Sequence, residues 1–260
     1  MRWIGLGFGI ACAALTGTTA VAQDQTPEEQ SRATEVWTPV PAKVDTSKAV
    51  PSDAIVLFDG KSLAQWQTVK DGSPAGWTLG KGAMTVKPGM GDIETRQDFC
   101  DVQLHIEWRT PTKITGADGK ELQSQQRNNS GVFLQGLYEV QVLDSYPPAS
   151  TYVNGQAGAV YKQSIPLVNA SRAPGVWQSY DIIYHAPQFD ALGAVTRKAR
   201  ITVLHNSVLV QDNFEIQGPT AWIGHPPYQA HGCLPLSLQD HGNLVSYRNI
   251  WIRKLDTVSP

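Results

Sequence analysis

From Ala54 onward the apolar positions of this chain recur mostly with a period of two. The segments AIVLFDG, WTLGKGAMTVKPG, DVQLHIEWRT, SGVFLQGLYEVQVLD, SYDIIYHAP, ARITVLHNSVLVQD and YRNIWIRKL are rich in β-branched and aromatic residues. Gly, Pro, Asn or Asp separate them, the punctuation expected of hairpins and longer loops between strands. Within VLHNSVLVQD the pattern predicts a compact hairpin with Asn206 and Ser207 at its turn. No amphipathic stretch is long enough for a major helix, and no internal repeat is present. Many short strands in one domain of this length predict an all-β fold, a two-sheet β-sandwich or jelly roll.

Three of these segments pair an apolar face with an unusual polar one. In YEVQVLDSY, Tyr138, Val140 and Val142 fall on one side while Glu139 and Gln141 fall on the other. In LHIEWRT, Leu104, Ile106 and Trp108 alternate with His105, Glu107 and Arg109. In LPLSLQDHG, Leu234, Leu236 and Leu238 alternate with Pro235, Ser237, Gln239 and His241. Antiparallel sheets commonly turn one face to water, so all three faces can be read as plain outer sheet. Glu, Gln, Arg and His hydrogen-bond in fixed geometry, however, so the same residues can be read as a working surface. Periodicity alone leaves both readings open.

The first 22 residues stand apart. Arg2 gives a positive start, WIGLGFGIACAALTG is an apolar stretch too short and Gly-rich for a membrane span, and AVA at 20–22 is a small-residue cleavage signature. Residues 1–22 are therefore read as a secretory signal removed after Ala22, which places the mature protein in the periplasm or outside the cell. A lipid anchor on Cys12 is the rival, but Gly9 stands where such a motif requires Leu. Residues 23–52 are polar and then proline-punctuated, predicting an extended arm with Trp37 pinning it to the domain, and residues 53–257 form the sandwich domain.

Composition removes several function classes. A formal net charge of -2 gives no electrostatic case for a nucleic-acid partner. Eight Trp and eight Tyr suit a core and equally suit contact with sugar rings. Once the signal is removed, Cys100 and Cys233 remain; export permits a disulfide, but buried free thiols are the preferred reading. No Cys-x-x-Cys or His-x-x-x-His spacing marks a structural zinc site. No cofactor is evident, a divalent metal is left open, and the oligomeric state is not written in the sequence.

AIVLFDGKSLAQW, NNSGVFLQGLYEVQVLDSY, GQAGAVYKQ, VWQSYDIIYHAP and LSLQDHGNLVSYRNIWIRKL together resemble the 3-keto-disaccharide hydrolase family, in family order. The resemblance implies a concanavalin A-like β-sandwich and an enzyme acting on glycosides already oxidised at C3. It also gives the polar face a purpose. A C3 ketone acidifies the C2 proton; a base removes it, the C1 substituent leaves, and water adds to the alkene. Such chemistry needs a base, an oxyanion stabiliser and an acid for the leaving group. Glu139 is the first candidate for base or acid, Glu107 the second carboxylate, and His241 a proton shuttle. Arg109, Gln141 and Gln239 are candidate donors to hydroxyls or the oxyanion; a structural Glu107–Arg109 ion pair is the competing reading.

Loop residues extend the set. Asn129 and Ser130 in RNNSG, Asp144 after the central strand, and Tyr161 and Lys162 in GAVYK are candidate substrate contacts, with Tyr161 a stacking platform. Asp144 can equally cap the turn into SYPP. Trp177 is read as core. Relatives usually carry Gly where Asn128 stands, and Asn tolerates the left-handed backbone such a turn requires. Cys233 and Pro235 interrupt a plainer family run, so the strand before Gln239 is expected to be irregular. A non-catalytic carbohydrate-binding module on the same fold is the alternative function, and an ordinary two-carboxylate glycosidase a third.

Overall fold

The computed structural model describes residues 25–116, 118–147 and 151–255, and the predicted signal segment with its cleavage point lies outside them. The chain divides into two compact units at Lys43/Val44. Within the first, a short helix, α1 (Pro27–Arg32), stands where the sequence reading placed only an extended arm. Its signal is a capping box. Thr26 accepts from the Glu29 N–H at 3.2 Å, the Glu29 carboxylate accepts from the Thr26 N–H at 2.9 Å, and Pro27 occupies the first turn. Within this unit the Trp37 indole N–H donates to the Glu35 carboxylate.

The second unit is built from strands β1 (Ile55–Phe58), β2 (Trp66–Thr68), β3 (Thr78–Gly80), β4 (Ala83–Thr85), β5 (Ile93–Phe99), β6 (Val102–Arg109), β7 (Ser130–Leu134), β8 (Tyr138–Val142), β9 (Gln178–His185), β10 (Gln188–Phe189), β11 (Val195–Arg197), β12 (Arg200–His205), β13 (Val208–Glu215), β14 (Leu234–Leu238) and β15 (Ser246–Lys254). An eight-stranded antiparallel sheet runs β13-β12-β9-β6-β15-β4-β3, with β1 also paired to β15. A five-stranded sheet runs β2-β5-β14-β7-β8, and β10 with β11 forms a separate ribbon. The predicted β-sandwich is the observed fold.

Alternation decides which side chains enter the core between the two large sheets. Leu104, Ile106 and Trp108 of β6 and Tyr180, Ile182 and Tyr184 of β9 meet Val132, Leu134, Val140, Val142, Leu236 and Leu238. Tyrosine hydroxyls then stitch one sheet to the other: Tyr180 donates to the Gln141 carbonyl at 2.7 Å, Tyr184 to Gln135 Oε1 at 2.8 Å, and Tyr247 to Ser130 Oγ at 2.7 Å. Each of these three buried tyrosine hydroxyls therefore has a partner, as burial demands.

Turns follow their chemistry. Asn206 and Ser207 close the β12–β13 hairpin with φ of 52° and 66°, as the sequence predicts, and Gln135 and Gly136 close β7–β8 in the same left-handed way. Asn128 takes φ 57°, the conformation anticipated for it. The pairing of β14 with β5 shifts register between Pro235 and Ser237, the expected irregularity; Pro235 has no N–H to give the ladder. The preferred thiol reading is corrected: Cys100 and Cys233 form a disulfide, with Cα atoms 4.7 Å apart. They flank the Leu234–Phe99 register pair, so the bond ties β5 to β14 across 133 residues of chain.

Candidate active site

The face of the five-stranded sheet turned away from the core carries the chemistry. Register places Gln67, Glu94, Ser237, Phe133 and Glu139 in one row across all five strands. One step along, Gly131 faces Gln141, and the Gln239 N–H donates to the Gly131 carbonyl. The segment after β8 folds back over its edge, with the Tyr161 N–H on the Glu139 carbonyl, and this lays the Tyr161 ring beside the row. Thr220 bonds the backbone at both Leu137 and Glu139, which docks the 217–222 loop on the β7–β8 hairpin. Between these loops lies a cavity of about 460 Å³ lined by Gln126, Phe133, Glu139, Tyr161, Trp222 and His241, with Gln239, Thr220 and Ala221 completing the wall.

Glu139 is the unusual group in it. The residue is 5% exposed, and its carboxyl forms no hydrogen bond or ion pair among the described residues. Burial, helped by the negative charge of Asp92, pushes its pKa up to about 8. Gly131 makes room for it: a methyl added there would lie 2.6 Å from Glu139 Oε1 and 2.5 Å from the Phe133 ring. Asp92 was not singled out from the sequence. It is itself raised by burial and then by the neighbouring Asp240 charge, although its Oδ1 accepts the Asp240 N–H at 2.7 Å.

The cavity brings four predicted residues together: Glu139, Tyr161, Gln239 and His241. Gln239 Oε1 is buried with no partner among the described residues. The Tyr161 hydroxyl meets that of Tyr152 at 2.8 Å, and burial holds the phenol well above its usual range, so it stays protonated. Lys162 sits beside the cavity wall rather than on it, its ammonium donating to the Trp222 carbonyl at 2.5 Å. Trp222, 74% exposed and also missed in the sequence, is a further lining residue of the cavity. Its signal was a lone aromatic in the Gly- and Pro-rich stretch QGPTAWIGHPP, unattached to any strand pattern.

Other predicted contacts support the site from behind. Gln141 Nε2 donates to Asn129 Oδ1 at 2.7 Å, Asn129 Nδ2 reaches the Gln125 carbonyl, and the Asn129 N–H donates to Asn243 Oδ1. These bonds lock the RNNSG turn to the loop following QDHG. Ser130 is fully buried on the core side, donating to the Gln239 carbonyl and accepting from Tyr247, so its hydroxyl is not turned to the cavity. Asp144 is buried against Arg127 at 2.8 Å and accepts the Tyr146 N–H at 3.2 Å, the turn-capping role. Arg127 also pairs with Glu121.

Glu107 and Arg109 are not brought to Glu139. Both stand on β6 in the eight-stranded sheet, on its outward face. Glu107 bonds Arg248 and Asn249 at 2.6 Å each, so the ion pair exists but with a different arginine. Arg109 and Arg248 lie against the Trp177 ring, at 4.6 and 4.2 Å from its centroid, which places Trp177 at the surface rather than in the core. Among the described residues no group of three or more His, Cys, Asp or Glu is arranged to hold a metal ion.

A buried, raised carboxyl on the wall of a polar cavity marks the candidate active site. The sequence profile of the 3-keto-alpha-glucoside-1,2-lyase-like domain matches residues 53–253, and the chain belongs to that family. It is 27% identical over 249 residues to the 3-keto-disaccharide hydrolase of Bacteroides thetaiotaomicron, covering 81% of this chain and 82% of that one. A Parabacteroides distasonis crystal structure, provisionally named a glycosyl hydrolase, is 50% identical with a TM-score of 0.80, covering 86% of this chain and 96% of that one. A second structure from that organism, with the same provisional name, shares 20% identity and a TM-score of 0.57 over 78% and 94% of the two chains; it speaks to fold alone.

Proposed function

We propose that the protein is an exported enzyme that cleaves 3-keto-glycosides, 3-keto-disaccharides among them, with Glu139 as the base. The observation that carries this reading is a carboxyl buried without a hydrogen-bond partner, its pKa pushed up to about 8, on the wall of a sugar-sized cavity. A carboxylate of that basicity suits removal of a C–H proton made acidic by a neighbouring ketone. In the proposed sequence Glu139 takes the C2 proton and the electron pair moves into an enediolate. The C1–O bond then breaks, the leaving oxygen gains a proton, and water adds across the C1–C2 double bond. Gln239 and the protonated Tyr161 offer donors to the enediolate oxygen, and His241 supplies the leaving-group proton. The Trp222 face offers a platform for the ring.

A non-catalytic carbohydrate module has no use for an unpartnered buried carboxyl, which costs stability when it ionises. The test is substrate oxidation state. Incubation with a 3-keto-disaccharide should release both sugar units while the unoxidised parent persists. Equal cleavage of the two would point to ordinary glycosidase chemistry and overturn the elimination scheme. Export is part of the proposal; it is supported by the AVA signature and by the disulfide, which persists in oxidising compartments.

A further inference from the structure

The Glu139 cavity is not the end of the row. Phe133 is shared with a second cavity of about 260 Å³ on the same sheet face, lined by Asp92, Glu94, Ser237, Gln135, Val69 and Leu234 among others. Its size falls below the ~300–1,000 Å³ typical of drug-sized ligand sites and fits a single ring. One wall is committed to structure: Gln135 Nε2 holds the Phe99 and Gly232 carbonyls, and its Oε1 accepts from Tyr184.

Other groups are uncommitted. Ser237 is 8% exposed, lies in register between Glu94 and Phe133, and its hydroxyl forms no hydrogen bond among the described residues. Glu94 Oε1 accepts from Gln67 at 2.9 Å, and its second oxygen has no partner there. The Ser237 hydroxyl is therefore open to the cavity and available to a ligand hydroxyl. Apolar surface from Phe133, Val69 and Leu234 beside acceptor oxygens is the mixed surface a pyranose presents a match for. No Lys, Arg or His lines this cavity. Two carboxylates without a lining cation repel an anion and welcome a neutral polyol.

We propose that this second cavity binds the leaving portion of the substrate, a neutral pyranose, through Ser237 and Glu94, while the oxidised ring occupies the Glu139 cavity. The inference rests on the Glu139 reading above, and the two fail separately.

Rates should be measured for a 3-keto-disaccharide, for the methyl 3-keto-glucoside with the same oxidised ring, and for a 3-keto-glycoside whose leaving group is a uronic acid. Ser237→Ala and Glu94→Gln should each lower the disaccharide-to-methyl ratio of kcat/KM about tenfold, the usual worth of one hydrogen bond to substrate. The loss should appear in KM. The uronic acid substrate should be poor for the native enzyme and improve in Glu94→Gln. Cleavage of the methyl glycoside with unchanged ratios in both variants would overturn the second subsite and leave Glu139 standing. Failure of the native enzyme to cleave any of the three would overturn both.

Discussion

Glu139 shows how one buried group can serve activity against stability. A base must be unprotonated to act, so kcat/KM should climb with pH through about 8 and level above it. Stability runs the other way. The folded-state pKa lies above the ordinary 4.5, so the folded chain holds a proton that the unfolded chain releases. That contribution is complete below about 4.5, shrinks as pH rises, and is gone above about 8, a loss on the order of several kcal/mol. Glu139→Gln keeps the shape without the charge. Turnover should fall by about two to four orders of magnitude. Its melting temperature relative to the native protein should rise as pH passes from below 4.5 to above 8. Full turnover in this variant would return the face to plain outer sheet, and a melting temperature that drops at high pH would mean that the native carboxylate has a partner.

At the scale of elements, alternation was legible and its destination was not. Period two told which residues of β6 share a face, and its strict burial alternation agrees; on β14 Leu236 and Leu238 enter the core as expected, while Leu234 lines the outward cavity beside Pro235 and Ser237. It could not tell that β6 belongs to one sheet and β8 and β14 to the other. A sandwich has two outward faces, both polar, and hydrophobic pattern alone does not distinguish the one that loops enclose. Glu107 and Arg109 were grouped with Glu139 for that reason. Asp92 was missed because the strand beginning beside it breaks the pattern: Arg96, Gln97 and Asp98 are exposed in succession where β5 and β14 shift register. The disulfide was illegible for a related reason, since only strand pairing brings residues 133 apart in sequence side by side. Cross-linking so long a loop should contribute about 3–5 kcal/mol through the unfolded chain. Cys100→Ser or full reduction should therefore lower the melting temperature by roughly 10 °C. Equal melting of the oxidised and reduced protein would show that the β5–β14 pairing holds without the bond.

For the whole molecule, the disulfide and the apolar N-terminal stretch support the proposed export by independent routes. Cysteines persist as a disulfide where the surroundings are oxidising, and the bond links two strands beside the site face. The apolar stretch ending in AVA carries the features of a secretory leader. A chain that was not exported would stay in a reducing compartment and hold Cys100 and Cys233 as thiols. Protein recovered from outside the cytoplasm should begin at Gln23 and show, by intact mass, two hydrogens fewer than the reduced chain. An N-terminus retaining residues 1–22, or a lipid on Cys12, would overturn the leader. A secreted chain with two free thiols would instead overturn the disulfide while leaving export in place, so one mass spectrum distinguishes the two.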